Sequence, residues 1–389
     1  MLFTGRSVVA ILALTAACGR DATTAATAPA GTEPTGTVAE LLTINLSQLP
    51  NYANPAWPAH YDAATLTQDN APATNEITDR GATLGRVLFH DRRLSINNSI
   101  SCASCHKLDA GFSDAARFSV GFNGTGRTTA HSMRLANARF YAPGTAFWDR
   151  RGATLEAQAT QPIRNALEMG FDDRHGGLDA LLIRMRALPY YTELFTLAFG
   201  DASITEDRLQ RAIAQYVRSI VSLDSRFDRG YAQVYSPQLR DRGINTPFAT
   251  FTAQENRGKQ LFLQPPQQGG AGCAICHTPP SFALTANSRS NGLDAGEAKL
   301  FKAPSLKHAA VAGPYMHDGR FSSLEQVVDH YDHGVQNGPA LDNRLRGPGR
   351  QGQRLQLAAS DKAALVAFVR TLTDGSLEAD VRYSDPFRR

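Results

Sequence analysis

The sequence predicts a mainly α-helical protein built as two related domains. Three observations carry that expectation: one order of features occurs twice, the segments closing each copy have helical spacing, and β-strand alternation is weak while Gly and Pro punctuate long loops. The first copy reads LGRVLF (Leu84 to Phe89), CASCH (Cys102 to His106) and AIAQYVRSI (Ala212 to Ile220). The second reads RGKQLF (Arg257 to Phe262), CAICH (Cys273 to His277) and ALVAFVRTL (Ala364 to Leu372). The duplication divides the chain into a domain at 76–245 and a domain at 246–389 that includes a C-terminal extension.

The closing segments are helical by their apolar stripes. Leu209, Ile213, Tyr216, Val217 and Ile220 share one face, and Leu365, Phe368, Val369 and Leu372 share the equivalent face. Ser203 with Glu206 reads as a capping box for the first helix, and Ser360-Asp361 begins the second. A further stripe, Leu324, Val327, Val328 and Tyr331, follows a capping box at Ser322 and Glu325 and stops at Gly334.

At 389 residues, with 42% apolar and 20% charged side chains, the chain has the composition of a globular protein with room for two cores. The net charge of +4 comes from 40 basic against 36 acidic residues with no dense basic run, so no nucleic-acid partner is expected. No apolar run after the first twenty residues is long enough to span a bilayer.

The N-terminus reads as an address. Arg6 precedes SVVAILALTAA, a short apolar stretch ending in small residues, as in a secretory signal at 1–18. LTAAC, ending at Cys18, resembles a bacterial lipoprotein cleavage box, with Thr15 where Leu is usual; signal-peptidase cleavage beside an incidental Cys is the alternative. Residues 19–75 form a linker and N-terminal extension whose first part is rich in Ala, Thr, Pro and Gly. A lipidated Cys18 followed by a tether would keep the body in the cell envelope, at a membrane surface.

The cysteines carry the chemistry. Apart from Cys18 they fall into Cys102/Cys105 and Cys273/Cys276, each pair followed directly by a histidine, His106 or His277. Roughly 0.002 such strings are expected by chance in this composition. In Cys-x-x-Cys-His the thiols add to the vinyl groups of haem as thioethers and the histidine becomes the proximal iron ligand. A zinc ribbon keeps its two pairs within about 20 residues. Here they lie about 170 apart, and neither sits in a βαβ pattern as a thioredoxin-like pair does. Two covalently bound c-type haems in two cytochrome c-like domains are therefore expected, outside the cytoplasm.

Longer segments add a resemblance. LGRVLFHDRRLS, FWDRRGATLEAQATQPIRNALEMG (Phe147 to Gly170) and FKAPSLKHAAVAGPYMHDGRFSSLEQVVDHYDHG (Phe301 to Gly334), with the two haem strings, resemble bacterial di-haem cytochrome c peroxidases and MauG-type methylamine-utilisation proteins over most of 76–375. The resemblance implies reduction of hydrogen peroxide at the haem of Cys102, Cys105 and His106. Electrons would come from a small donor protein, a cytochrome c or cupredoxin, through the second haem. It implies Trp148 as a relay between haems, with Gln158, ten residues on, and Glu168, twenty on, in the distal pocket. The plainer readings are a core aromatic for Trp148, an exposed helical Gln158 and a solvated loop Glu168.

Two departures point toward the MauG side. Where conventional members carry a removable histidine ligand sixteen residues beyond the proximal His, this chain has Phe122, so the first iron is expected five-coordinate or water-bound. Where they carry a methionine ligand for the second haem, fourteen residues after His317, it has Tyr331, as MauG-type proteins do. That makes His277 and Tyr331 the expected pair, against core packing of Tyr331 or ligation by Met316, His317, His330 or His333. The alternatives to a peroxidase are MauG-like oxidation of aromatic residues on a protein substrate and a non-enzymatic di-haem electron carrier. The family also implies a calcium ion bound partly through carbonyls near Ala312 and Pro314, but its Asn ligand aligns with His131, and imidazole suits calcium poorly.

Overall fold

Two helix pairs, each built from the segments that repeat in the sequence, organise the structure. In this computed structural model, which describes Met1 and residues 36–388, helix Asp79–His90 packs against helix Glu206–Ser219, and helix Ala253–Leu263 packs against Ala359–Arg370. The signal segment and Cys18 lie outside the described residues. Among those described, no helix is long and apolar enough to cross a membrane.

The apolar stripes do what their spacing requires. Leu84, Val87 and Leu88 of the first helix meet Leu209, Ile213, Tyr216 and Val217 of its partner in one buried cluster. Leu261, Phe262, Leu365, Phe368 and Leu372 form the second cluster, joined by Phe227 and Tyr231 from helix Arg226–Val234. Val369 is only half-buried, because it lines a cavity instead. The structure is mainly helical, with long loops and a single two-stranded antiparallel ribbon, His277–Thr278 against Ala283–Leu284, among the described residues.

Helix caps differ from the expected ones by a few residues. Thr205, not Ser203, caps Glu206–Ser219, with its hydroxyl accepting from the Arg208 N–H at 3.3 Å. Ser323, not Ser322, caps Leu324–Asp329, and Ser322 instead donates its N–H to Gln326 Oε1 at 2.7 Å. Helix Ala359–Arg370 begins one residue before Ser360 and has Ala358 at its cap position. In each case several cap-forming residues stand together, and loop geometry decides among them.

Segments 38–43 and 383–386 meet over the first helix pair. Val38 and Leu42 are buried in the first cluster, and the Thr43 N–H donates to the Pro386 carbonyl at 2.8 Å. Tyr383 is fully buried and donates its hydroxyl to the Ser219 carbonyl at 2.7 Å, while Arg86 Nε donates to the Ser384 carbonyl at 2.8 Å.

The two pairs cross at equivalent glycines. A Cβ on Gly85 would overlap the Ala212 carbonyl oxygen, and a Cβ on Gly258 would overlap the Ala364 carbonyl oxygen. Each helix therefore approaches its partner backbone to a distance only glycine permits. Gly85→Ala and Gly258→Ala are each expected to destabilise the protein by about 1–3 kcal/mol or more, as overpacking against immobile backbone does, with a lowered midpoint in thermal unfolding as the check. An unchanged midpoint would mean that the pairs do not cross this closely.

Candidate functional site

Each Cys-x-x-Cys-His string forms a tight helical turn beside its helix pair. Ser101 opens the turn Cys102–Cys105 by donating its N–H to Ser104 Oγ at 2.9 Å. His106 follows, with Nδ1 3.1 Å from the Phe112 carbonyl. That bond fixes the ring and leaves Nε2 as the nitrogen for a metal. Burial lowers the His106 pKa and takes that of His277 down to about 4, so both rings are neutral and able to ligate. All four cysteines are free, and burial pushes Cys102 and Cys273 each up to about 12. These neutral thiols differ from the low-pKa thiolates of redox CxxC motifs.

Each string opens onto its own cavity. Cys102, Cys105, His106, Trp148, Gln158 and Glu168 line the first, which has about 1440 Å³ of atom-free space including its mouth. Cys273, Cys276, His277, Met316, His317 and Tyr331 line the second, with about 1700 Å³ measured in the same way. Both are lined mostly by apolar atoms, with a few polar side chains converging on each. Trp148 belongs to both walls.

The distal side chains are held from behind. Gln158 rides on helix Leu155–Ala159, which Thr154 caps by accepting the Ala157 N–H at 3.1 Å. Two residues earlier on the same helix, Glu156 receives Arg218 Nη1 and Nη2 at 2.6 and 3.0 Å and Asn75 Nδ2 at 2.7 Å. Burial works to raise the Glu156 pKa, but these bonds hold it at about 2, so the clamp stays ionised. Glu168 accepts the Asn165 amide at 3.0 Å, and its backbone carbonyl accepts the Phe122 N–H at 2.8 Å. Burial raises the carboxyl pKa of Glu168, and the positive charge of Arg151 works against that rise.

In the second cavity Tyr331 lies in a π-helical turn, His330–Gly334, that continues helix Leu324–Asp329. Such turns re-aim a side chain within a helix. Asn291 Nδ2 lies 3.4 Å from both the Tyr331 hydroxyl and the Met316 sulfur. Burial pushes the Tyr331 phenol up to about 12, so without a metal it is neutral. Two of the competing histidines point elsewhere. His330 Nε2 lies 3.1 Å from the Asn291 carbonyl, and the largely exposed His333 leans on Asp332. His317 does reach the cavity wall, with its ring stacked on Phe301 at 4.0 Å.

Comparison with known proteins gives this geometry a family. Residues 79–235 match the family model described as di-haem cytochrome c peroxidase. The methylamine utilization protein MauG of Methylorubrum extorquens is 34% identical over 77% of this chain and 80% of its own length. The chain belongs to the di-haem cytochrome c peroxidase and MauG family. The cytochrome c551 peroxidase of Nitrosomonas europaea is 29% identical over 75% of this chain and 79% of its own. A crystal structure described as a MauG-like protein associated with microbial copper homeostasis superposes with a TM-score of 0.67 at 30% identity, covering 86% of this chain and 99% of that one.

Within this di-haem family member, the wall common to both cavities also holds cations that sequence reasoning missed. Arg134 and Lys302 line both cavities and are buried. Lys302 Nζ donates to the Thr145 carbonyl at 2.9 Å and lies 4.8 Å from the centre of the Tyr141 ring. Burial, helped by Arg150, takes the Lys302 pKa down to about 8. The Tyr141 hydroxyl and Arg134 Nε are buried without a hydrogen-bond partner among the described residues. The one available signal was a lone cation within an apolar stretch, as in FKAPSL.

The electrostatics of Glu168 can be tested directly. Because Arg151 holds its pKa down against burial, Arg151→Ala should raise the pH at which Glu168 ionises, read from the carboxyl band in an infrared titration against Glu168→Gln as the blank. An unchanged or lower value would contradict this balance.

Proposed function

We propose that this chain is a c-type di-haem peroxidase that reduces hydrogen peroxide to water with electrons from a small redox protein, a cytochrome c or cupredoxin. The first cavity carries that reading, because one lining combines the thiols and imidazole of a haem-attachment string with Gln158 and Glu168. In the same proposal 76–245 is the peroxidatic and 246–389 the electron-transfer cytochrome c-like domain. An N-terminal signal exports the chain to the periplasm or cell envelope, where Cys18 serves as a lipid anchor.

Haem bound at each string would supply the redox-active iron, held by His106 in the first cavity and by His277 in the second. The chain's residues supply the rest. Cys102 and Cys105, and likewise Cys273 and Cys276, add across vinyl groups to form thioethers, while His106 and His277 ligate the irons. Gln158 orients the peroxide. Glu168 takes the proton from one peroxide oxygen and returns it to the other, so that the O–O bond breaks and two electrons with two further protons complete two waters. Its raised pKa suits a group that must both accept and release a proton. Trp148 would relay electrons between the cavities, and Tyr331 together with His277 would hold the second iron. Arg134 and Lys302 would suit the haem carboxylates, giving two buried cations the anions that no described residue supplies.

A second reading has one specific observation in its favour. Tyr331, half-buried on the wall of the second cavity, would hold the iron there oxidised as a phenolate, where methionine would raise its potential. That suits oxidation of aromatic residues on a partner protein, as a MauG-like enzyme, better than rapid turnover with a cytochrome.

Two measurements test these roles on the haem-loaded protein. Glu168→Gln is expected to slow the stopped-flow reaction with peroxide by about 10²–10⁴ while the resting spectrum stays intact. As a proton acceptor Glu168 works ionised, so the wild-type rate falls as pH drops through its raised pKa, and that limb disappears in the variant. A wild-type rate in Glu168→Gln would remove the carboxyl from the chemistry. Tyr331→Met should raise the potential of the second haem in spectroelectrochemistry and quicken turnover with reduced cytochrome c. An unmoved potential would take Tyr331 out of the ligand set.

A further inference from the structure

The loop that would bind the family's calcium does not fit that ion. Arg134 Nη2 donates to the Ala312 carbonyl at 2.7 Å, in the stretch near Ala312 and Pro314 whose carbonyls the family resemblance implies for calcium. The side chain is almost wholly buried at 7% exposure, so its full positive charge sits in a low-dielectric wall. His131 stands at the aligned position of the family's Asn ligand. Its Nε2 lies 3.1 Å from Ser113 Oγ and its Nδ1 3.2 Å from the Arg117 carbonyl, so both ring nitrogens are engaged. Calcium needs six to eight oxygens at about 2.3–2.6 Å. Here it would lose its side-chain oxygen to an imidazole and meet a guanidinium already bonded to a carbonyl it requires.

The same place holds the relay tryptophan. Trp148 Nε1 donates to the His131 carbonyl at 2.7 Å, and the His131 N–H donates to the His317 carbonyl at 2.8 Å. The segments 131–134 and 312–317 are thus tied twice, once by backbone at His131–His317 and once by Arg134–Ala312. We propose that the guanidinium of Arg134 replaces the calcium ion in this chain, locking the 312–317 loop to the 131–134 segment and so positioning Trp148. Arg134 is a positioning residue, and a protein built this way is calcium-independent. The inference does not rest on which substrate the enzyme takes.

The test uses the haem-loaded protein after dialysis against a calcium chelator. Wild type is expected to contain substoichiometric calcium by elemental analysis, to give no heat on titration with calcium chloride, and to keep its EPR spectrum and melting temperature throughout. Stoichiometric calcium whose removal shifts either signal would overturn the proposal. The double variant His131→Asn, Arg134→Ser restores an oxygen ligand and removes the cation. It should bind calcium about tenfold or more tighter than wild type, and its altered EPR spectrum should return toward the wild-type form when calcium is added. A double variant with an unaltered spectrum and no response to calcium would also overturn it. If that variant does not fold, Arg134→Lys, which keeps a cation at the site, should remain indifferent to calcium, and calcium-dependent melting there would count against the proposal.

Discussion

The structure depends on a single wall standing between two cavities, and that wall hangs on the hydrogen bond from the Trp148 indole to the His131 carbonyl. Here the Lys302 N–H holds the Trp148 carbonyl at 2.7 Å, Arg134 holds Ala312, and His131 holds His317. Every one of these contacts is made by a loop, while the helix pairs behind them supply burial. Rigid pairs closed at Gly85 and Gly258 carry the cysteine turns, and the loops between them decide what those turns face.

The two cavities are unlike in their second halves, and that asymmetry carries the functional proposal. The first presents a carboxyl and an amide, Glu168 and Gln158; Asn165 donates to the carboxyl, and the helix that carries Gln158 is anchored through Glu156 to Arg218. Phe122 is placed against the loop of Glu168 by its backbone, not as a lining residue. The second presents a phenol and a thioether, Tyr331 and Met316, gathered around one amide, Asn291. In the proposed function the groups that would move protons stand in one cavity, and those suited to closing or tuning an iron stand in the other.

Much of this was legible in the residues. The duplicated order of motifs gives both helix pairs, the stripes give their buried faces, and the Cys-x-x-Cys-His strings lie where the cavities open. What the sequence left hidden follows from physical causes. Caps at Thr205 and Ser323 were misplaced because neighbouring serines and threonines compete for one turn, and only loop geometry chooses between them. The turn at His330–Gly334 has no periodic signature, so the exclusion of His330 and His333 from the cavity had to be observed. Arg134 and Lys302 are single cations in loops, and nothing local reveals that two distant segments will close over them.

In the proposed function His106 alone would hold the first iron, whereas His277 and Tyr331 would both hold the second. EPR of the mature, haem-loaded protein in its resting oxidised state tests this most directly. The account predicts one high-spin signal, lost on addition of a small anionic ligand, beside one low-spin signal that such a ligand leaves untouched. Two low-spin signals, both insensitive to added ligand, would contradict it.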